Sequence, residues 1–374
     1  MSRDPQLRFV HREIVLLTVL VAVTIAAFFI TRAVATGNRR IRTQDAEAWY
    51  AEGQSAARNA DLERAVTAFR QAAIKDADNI RYRLALAQAL ARAHHDDQAR
   101  RTLLALRDLQ PEDPDTNLQL ARLERSTDPD AAIRYYQSTL VEWWRPDRLS
   151  ERRDARTELI QYLLDRGDRS HALAELLVLV VDLPDDGDAQ SAAGRLFLAA
   201  GDPRRALERF TAALRLAPGS AAAHAGAGEA HFELGEYAQA IREFADASSL
   251  STRSQELMQV SQLVLSADPL APRLSSTERK RRLKAALAYL KERLGSCGAS
   301  PPPAQTADLE SLRLEIVAFD KTITEVAARD LTDTIEEGLN AIARTERALE
   351  GRCGSAPPLD RALGLITRRH GIEG

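Results

Sequence analysis

Residues 194–218, GRLFLAAGDPRRALERFTAALRLAP, and residues 228–247, GEAHFELGEYAQAIREFADA, carry one pattern that repeats at an interval of 34 positions. The shared positions are small or aromatic: Gly194, Phe197, Gly201, Ala206, Phe210 and Ala213 recur as Gly228, His231, Gly235, Ala240, Phe244 and Ala247. Small residues let two helices approach closely, a large ring fills the space beside them, and proline ends a helix. The pattern therefore predicts consecutive helical hairpins.

The same frame extends toward the N-terminus, although its spacing is not uniform. Its landmark alanines are Ala65, Ala99, Ala132, Ala172, Ala206 and Ala240. The step from Ala99 to Ala132 is one position shorter than the regular interval, and the step from Ala132 to Ala172 is six positions longer. The longer step contains Trp143, Trp144 and Pro146, and it predicts an irregular joint near residues 141–152.

This pattern resembles the tetratricopeptide repeat (TPR) family, whose unit is a helix–turn–helix of about 34 residues. The first copy also carries the family's tryptophan, as Trp49, with Gly53 four positions later. The resemblance covers 46–253 as an array of about six repeats. It implies a solenoid that binds other proteins along a concave groove.

Composition favours an all-α protein, because alanine, leucine, arginine and glutamate dominate and strand patterns are almost absent. The chain has 374 residues and a formal net charge of −3, which gives no bulk attraction to nucleic acid. We therefore expect an all-α fold: a TPR-like solenoid of helical hairpins with an N-terminal transmembrane helix and a C-terminal helical bundle.

The predicted transmembrane helix, 14–31, begins with a run from Ile14 to Ile30 that carries no charge, IVLLTVLVAVTIAAFFI. At about 1.5 Å per residue this run is near the lower limit for crossing a bilayer, and Arg12 and Arg32 flank it. Residues 1–13 form an N-terminal tail, and residues 32–45 form a juxtamembrane linker. The competing interpretation is a signal peptide cleaved after Ala33-Val34-Ala35, which leaves a mature chain that begins at Thr36.

Residues 254–374 follow a different helical design, and we interpret them as a C-terminal bundle of three helices. Ser275 and Glu278 predict a capping box at the start of the first helix. Its apolar face is Leu283, Leu287, Leu290 and Leu294. The second helix carries Leu309, Leu312, Ile316, Phe319, Ile323 and Val326, and the third, which Asp333 would cap, carries Ile335, Leu339, Ile342 and Leu349.

Cys297 and Cys353 are the only cysteines, and both occur just after predicted helix ends in similar glycine- and proline-containing contexts. An antiparallel hairpin between the last two helices would bring them together as a disulfide worth about 2–4 kcal/mol. Disulfides persist in oxidising compartments. The expected location is therefore the inner membrane of a bacterial envelope, with the repeats periplasmic. Free thiols and a cytoplasmic array are the alternatives, since arginines flank the apolar run on both sides.

Other motifs have structural explanations, and no catalytic, cofactor-binding or metal-binding residues are assigned. Gly226-Ala227-Gly228 lies inside a predicted helix and follows no strand, so it does not indicate a nucleotide site. His94 and His95 fall at a turn, and His224 and His231 are expected to pack. The run Glu278-Arg279-Lys280-Arg281-Arg282, followed by Lys284, is the strongest basic patch. It belongs to the wet face of a helix or contacts anionic lipid headgroups or an acidic partner.

The candidate partner-binding residues are the exposed positions of the first helix in each repeat. They are Tyr50, Gln54, Arg81, Gln88, Arg122, Gln161, Arg195 and Glu229. Arginine and amide side chains suit an extended peptide or an acidic helix. The lysine and asparagine clamp by which some family members bind C-terminal carboxylates is absent. An alternative is that the chain's own C-terminal region fills the groove.

These observations predict a membrane-anchored TPR scaffold or assembly factor for protein–protein interactions in a bacterial cell envelope. We expect no enzymatic activity, no cofactor, no small-molecule substrate and no nucleic acid. The alternative function is a regulatory or enzymatic subunit whose activity lies in the C-terminal helices, with the repeats used for recruitment.

Overall fold

The structure is a computed structural model that describes residues 5–141, 144–297, 303–349 and 357–372. Within these ranges every element is an α-helix or a short 3-10 helix, as the sequence predicts. The chain divides into two compact units, Met1–Leu159 and Ile160–Gly374. The predicted boundaries at 45/46 and 253/254 describe sequence organisation and remain predictions.

The first unit contains six helices and the start of a seventh. They are α1 (Pro5–Arg58), α2 (Leu62–Lys75), α3 (Ile80–Arg92), α4 (Asp96–Leu109), α5 (Pro114–Glu124), α6 (Pro129–Val141) and α7 (Leu149–Asp165). A 3-10 turn, Pro146–Arg148, precedes α7. The predicted irregular joint thus coincides with an interruption between α6 and α7, where the buried indole of Trp144 donates a hydrogen bond to the carbonyl of Thr139 at 2.8 Å.

Among its described residues, the second unit contains the end of α7 and ten further helices. They are α8 (Arg169–Val181), α9 (Gly187–Ala199), α10 (Pro203–Leu216), α11 (Ala221–Glu233), α12 (Tyr237–Asp246), α13 (Thr252–Ala267), α14 (Ser276–Cys297), α15 (Pro303–Glu325), α16 (Leu331–Leu349) and α17 (Pro358–Arg369). Helices α13 and α17 were not predicted as separate elements.

The predicted repeat landmarks occupy the positions that the pattern requires. All six landmark alanines have zero exposure, and Phe210 and Phe244 are also fully buried. The residue five positions before the alanine adopts a positive φ in five repeats, at Ala60, His94, Gly167, Gly201 and Gly235. A left-handed residue reverses the chain between the paired helices, and glycine takes that conformation without steric cost. The hairpin prediction is therefore confirmed at the level of its turns.

The C-terminal helices share one hydrophobic core with the last repeat. Phe232 and Phe244 belong to the same cluster of buried residues as Val260 of α13, Leu283 of α14 and Ile366 of α17. Glu278 donates its backbone N–H to Ser275 Oγ, which confirms Ser275 as the cap, but the Glu278 carboxylate pairs with Arg281 and Arg282, so the predicted capping box is formed only in part. The predicted cap at Asp333 is wrong, because α16 already begins at Leu331 and places this carboxylate in its first turn.

Helix α1 contains the predicted transmembrane segment 14–31 and the predicted linker 32–45, and it continues without a break into the first repeat. Within the described residues, no helix meets the length and apolarity required to cross a bilayer. The transmembrane prediction is therefore not supported by this structure.

The predicted disulfide lies outside the described residues. Cys297 ends α14, but its side chain is not described, and Cys353 belongs to 350–356, which are not described.

Candidate functional site

One face of the first unit holds a cavity of about 830 Å³. Its walls come mainly from α1, α3 and α5, which are the first helices of three consecutive repeats. Four of the predicted groove residues line it, namely Tyr50, Gln54, Gln88 and Arg122. The structure thus brings half of the predicted groove residues together in one place.

The polar groups of this groove recur at the repeat interval. Gln54, Gln88 and Arg122 follow one another at that interval, and Arg58, Arg92 and Ser126 do the same one helical turn later. Residues four apart lie on the same helix face, so α1 and α3 each present two polar side chains in series, whereas Ser126 follows the end of α5. The floor between them is apolar and contains Phe69, Ala85, Ala89 and Leu123.

Tyr50 is fixed by aromatic and cationic neighbours. Its ring is buried, with its centroid 5.5 Å from that of Phe69 and 5.1 Å from that of Tyr82. Arg81 Nε donates a hydrogen bond to the Tyr50 hydroxyl at 3.2 Å, and its guanidinium lies 4.4 Å from the ring centroid. This hydrogen bond raises the pKa of Arg81. Arg81 therefore holds the wall of the groove and does not line the cavity.

Tyr82, behind this wall, donates its hydroxyl to Glu47 at 2.6 Å. That hydrogen bond, together with burial, raises the pKa of Tyr82 to about 12. The hydroxyl therefore stays protonated and keeps α3 tied to α1 at neutral pH.

Arg122, at the far end of the groove, forms an ion pair with the carboxylate of Glu158. Its Nε and Nη2 lie 3.1 and 2.8 Å from Glu158 Oε2, and the Tyr136 hydroxyl donates to Glu158 Oε1 at 2.7 Å. Burial alone would raise the pKa of Glu158, but the hydrogen bonds from Arg122 and Tyr136 outweigh it and lower the pKa. Arg122 therefore contributes a positive charge that is already neutralised.

Arg58 and Arg92 are the arginines of the groove that remain available. Both are exposed, and among the described side chains neither has a carboxylate within salt-bridge distance. Asp96 is the one acidic residue among the described residues that line the cavity. Sequence reasoning missed both arginines, although their recurrence at the repeat interval was a signal. They give the groove a net positive charge that suits carboxylates.

The three other predicted groove residues lie in the second unit. Gln161 and Arg195 are exposed. Glu229 is half-buried and accepts a hydrogen bond from Ser254 Oγ of α13 at 3.3 Å. At this position the chain's own C-terminal region contacts the predicted groove residue.

A second polar cluster lies among the C-terminal helices and was missed from sequence. Asp360 accepts hydrogen bonds from the Tyr289 hydroxyl at 2.6 Å and from Arg293 Nε at 3.2 Å. Burial of the Glu346 carboxyl raises its pKa, and the nearby negative charge of Asp360 raises it further, to about 8. Its Oε1 is buried without a hydrogen-bond partner among the described residues. The raised pKa favours the uncharged form of Glu346 near neutral pH.

Two residues of the basic run on α14 cap other helices, whereas Arg281 stays exposed and pairs with Glu278. Lys280 Nζ donates to the carbonyl of Val326 at 2.7 Å, after the end of α15. Arg282 Nη1 donates to the carbonyls of Leu265 and Asp268 at 2.9 and 3.1 Å, at the end of α13. Cations at helix C-termini satisfy unpaired carbonyl groups and interact favourably with the helix dipole. The sequence placed this run on a solvent-exposed helix face. Lys280 and Arg282 instead make structural contacts to the ends of other helices.

The histidines are engaged locally. His95 lies 2.8 Å from Glu63, and His94 occupies the left-handed turn position. His224 lies 2.9 Å from Glu243 and 3.0 Å from the carbonyl of Pro218, whereas His231 lies 2.6 Å from Glu236. These contacts agree with the turn and packing roles expected from the sequence.

Comparison with known proteins gives a match to the tetratricopeptide repeat over residues 197–254. This match confirms the repeat type for the last copies of the pattern. No curated protein matches the chain.

The solved structures that match this chain include three that differ in how much of it they cover. MamA is 18% identical, over 46% of this chain and 95% of that chain, with a TM-score of 0.35. PilW, a widely conserved type IV pilus biogenesis factor, is 17% identical, over 59% and 98%, with a TM-score of 0.41. YrrB, a TPR protein with an unusual peptide-binding site, is 17% identical, over 48% and 90%, with a TM-score of 0.38.

Proposed function

We propose that this chain is a membrane-anchored scaffold or assembly factor in a bacterial cell envelope, and that the groove of its first unit binds an extended, acidic segment of another protein. The observation that carries the proposal is the pair of polar rows that line the cavity at the repeat interval. Glutamine amides can pair with the backbone of an extended chain, and arginines can pair with its carboxylates.

The arginines at the groove differ in whether they already have a partner, and this difference supports an acidic segment as the ligand. Arg81 and Arg122 are held by Tyr50 and Glu158, so they shape the groove. Arg58 and Arg92 have no such partner among the described side chains, and both lie on the groove surface. Two unpaired guanidinium groups one repeat apart give charge-assisted contacts to carboxylates at matching intervals.

Site-specific photo-crosslinking in living cells tests this proposal. A photoreactive residue replaces Gln88 in the groove, and the same residue replaces Leu109, which is 63% exposed on α4, as the matched control. We expect a discrete crosslinked protein from position 88 and none from position 109. The Arg58→Glu/Arg92→Glu double variant should abolish that product, whereas Arg101→Glu, an exposed arginine that does not line this cavity, should leave it. A product that survives the double variant would refute the acidic-segment proposal.

The membrane anchor is a separate part of the proposal. Its support is the uncharged apolar run at 14–30 together with the exposure of its large side chains, of which Leu17, Leu20, Phe28, Phe29 and Ile30 are each more than 60% exposed. We infer an anchor in the inner membrane with the repeats in the periplasm.

Impermeant thiol labelling of Cys297 and Cys353 in intact cells, with and without prior reduction, reports the side of the membrane and the disulfide state. A mature chain that begins at Thr36 would instead establish cleavage.

We propose no catalytic role for the chain. The competing function, an activity in the C-terminal helices, is favoured by one observation, the protonated Glu346 beside Asp360 and Tyr289. Its test is the full chain carrying Glu346→Gln or Asp360→Asn. A physiological defect with crosslinking from position 88 unchanged would favour that alternative.

A further inference from the structure

The first repeat has a cleft between α1 and α2, separate from the groove that Gln88 lines. It is called the first cleft below. Its volume is about 550 Å³, and it is lined by Ala48, Trp49, Glu52, Arg64, Thr67 and Ala68. Trp49, the tryptophan of the repeat pattern, is 41% exposed there. Aromatic residues, tryptophan among them, are enriched at protein–protein interfaces relative to the rest of the surface.

The same cleft recurs one repeat later, but with an additional wall. The residues one repeat interval after Trp49, Glu52, Thr67 and Ala68 are Arg83, Leu86, Arg101 and Thr102, and all four line a cavity of about 450 Å³. The remaining wall there is the end of α2, with Arg70, Ala73 and Ile74, followed by Ala77. The lining of the first cleft comes from α1 and α2 alone. The first cleft is therefore the same surface without a preceding helix.

Burial along the array agrees with this comparison. Ala48 is exposed, whereas Tyr82 and Thr116, at the equivalent positions of the next two repeats, are buried. Trp49 is exposed, whereas Asn117, two repeats later, is fully buried. A solenoid repeat covers its neighbour's surface, and a terminal repeat normally has a polar outer face. At the first repeat this surface is uncovered, and it presents Trp49 beside the ion pair of Arg64 with Glu52.

We propose that the cleft around Trp49 docks an amphipathic α-helix from a partner protein, which stacks on the array in the place of a preceding repeat. The second cleft supplies the template. Its wall presents small and aliphatic groups at Ala73 and Ile74 of α2 and at Ala77 just after that helix, with Arg70 three positions before Ala73. The docked helix would carry a similar stripe at i, i+3, i+4 and i+7.

Charge favours a partner protein over a second copy of this chain. Arg39, Arg40 and Arg42 are exposed on α1 just before the cleft, and none has a carboxylate partner among the described side chains. A symmetric pair of α1 helices would bring these like charges together, whereas an acidic helix end would complement them. The last repeat of this chain is also unavailable as an end-to-end partner, because Tyr237 and Phe244 are already packed with α13 and α14 to α17 in one core.

Fluorescence anisotropy with the full chain in nonionic detergent tests the proposal. The probe is a labelled peptide of residues 62–77, LERAVTAFRQAAIKDA, which carries the stripe that forms the wall of the second cleft. We expect binding with a Kd of about 10–100 µM. Trp49→Glu should weaken it about tenfold. The matched control is Leu109→Glu, at an exposed apolar residue of the same unit, and it should leave the affinity unchanged.

A control peptide carries glutamate in place of Ala73 and Ile74 and keeps Phe69. Equal binding of both peptides, equal weakening by Leu109→Glu, or no binding by the wild-type chain would overturn the proposal. If circular dichroism shows that Trp49→Glu unfolds the first unit, Thr67→Glu in the same cleft replaces it. A dimer in sedimentation that Trp49→Glu dissociates would assign the cleft to a second copy and also overturn the proposal. None of these outcomes depends on the groove that Gln88 lines, so the test is independent of the proposed binding of an acidic segment there.

Discussion

Gly226 lies directly against the ring of Phe210, so that a Cβ added at Gly226 would be 2.3 Å from Phe210 Cε1. Gly194 faces the same ring, at 2.8 Å from the same carbon. Phe210 belongs to α10, whereas its two glycines belong to α9 and α11. One aromatic ring therefore fixes the separation of three helices in two consecutive repeats.

Gly226→Ala should destabilise the second unit by about 1–3 kcal/mol, because a fully buried ring must shift to admit the methyl group. Urea unfolding followed by circular dichroism measures the effect. Gly219→Ala is the matched control, since nothing lies within 4 Å of its added Cβ. Equal effects at the two positions would contradict the close packing described here.

His94→Gly should stabilise the first unit. His94 has a φ of 60°, a left-handed conformation that costs a residue with a side chain about 1–2 kcal/mol. Glycine removes this cost but loses more entropy on folding, by about 0.5–1 kcal/mol, so the net gain should be about 0.5–1 kcal/mol. The midpoint of thermal unfolding reports the change.

The reverse substitution at the equivalent turn of the last repeat provides the control. Gly235 has a φ of 75°, and nothing lies within 4 Å of its added Cβ. Gly235→Ala should therefore lower the midpoint through backbone strain alone. A stabilising effect at both positions would exclude the conformational explanation.

The turns and landmark alanines could be predicted because each hairpin encodes its own packing within about 34 residues. Ala206 and Phe210, for example, lie on one helix, and their glycine partners are local in sequence. The groove charges could not be assigned in this way. The partner of Arg122 is Glu158, which lies beyond the irregular joint. Whether the charge of Arg122 is neutralised therefore depends on tertiary packing.

The two missed helices, α13 and α17, have apolar periodicity but lack the repeat landmarks. Leu257, Val260 and Val264 of α13 recur at spacings of three and four and are buried. Their partners include Leu283 and Ile366, which are distant in sequence. Periodicity therefore predicts such a helix, but it does not identify the core that the helix joins.

His224 should make the stability of the last repeat depend on pH. Burial alone would lower its pKa, but the hydrogen bonds to Glu243 and to the carbonyl of Pro218 outweigh it, and the pKa is raised above 6.5. A raised folded-state pKa contributes stability that is fully present below the unfolded value of about 6.5 and is lost as pH rises through the folded value.

The difference in unfolding midpoint between wild type and His224→Gln should therefore shrink as pH rises above about 6.5. Glu243→Gln should remove most of this dependence, because it removes the charge that favours protonated His224. His94→Gln, at an exposed turn residue, is the control for general effects of histidine replacement. A difference that grows with pH would contradict the assigned direction.

Glu346→Gln should stabilise the C-terminal helices at alkaline pH. Burial and the charge of Asp360 raise the pKa of Glu346 to about 8 from its ordinary value of 4.5. Between these values the folded state retains a proton that the unfolded state has released, so the free energy of unfolding falls as pH rises. Glutamine resembles the protonated acid and does not ionise. The gain should be about 1–3 kcal/mol at pH near 9 and close to zero at pH near 4.5, as measured by urea unfolding. Glu337→Gln, at an exposed position of the same helix, is the matched control and should leave the free energy of unfolding nearly unchanged at both pH values. If Glu346→Gln were equally stabilising at both pH values, the buried ionisation would not be its cause.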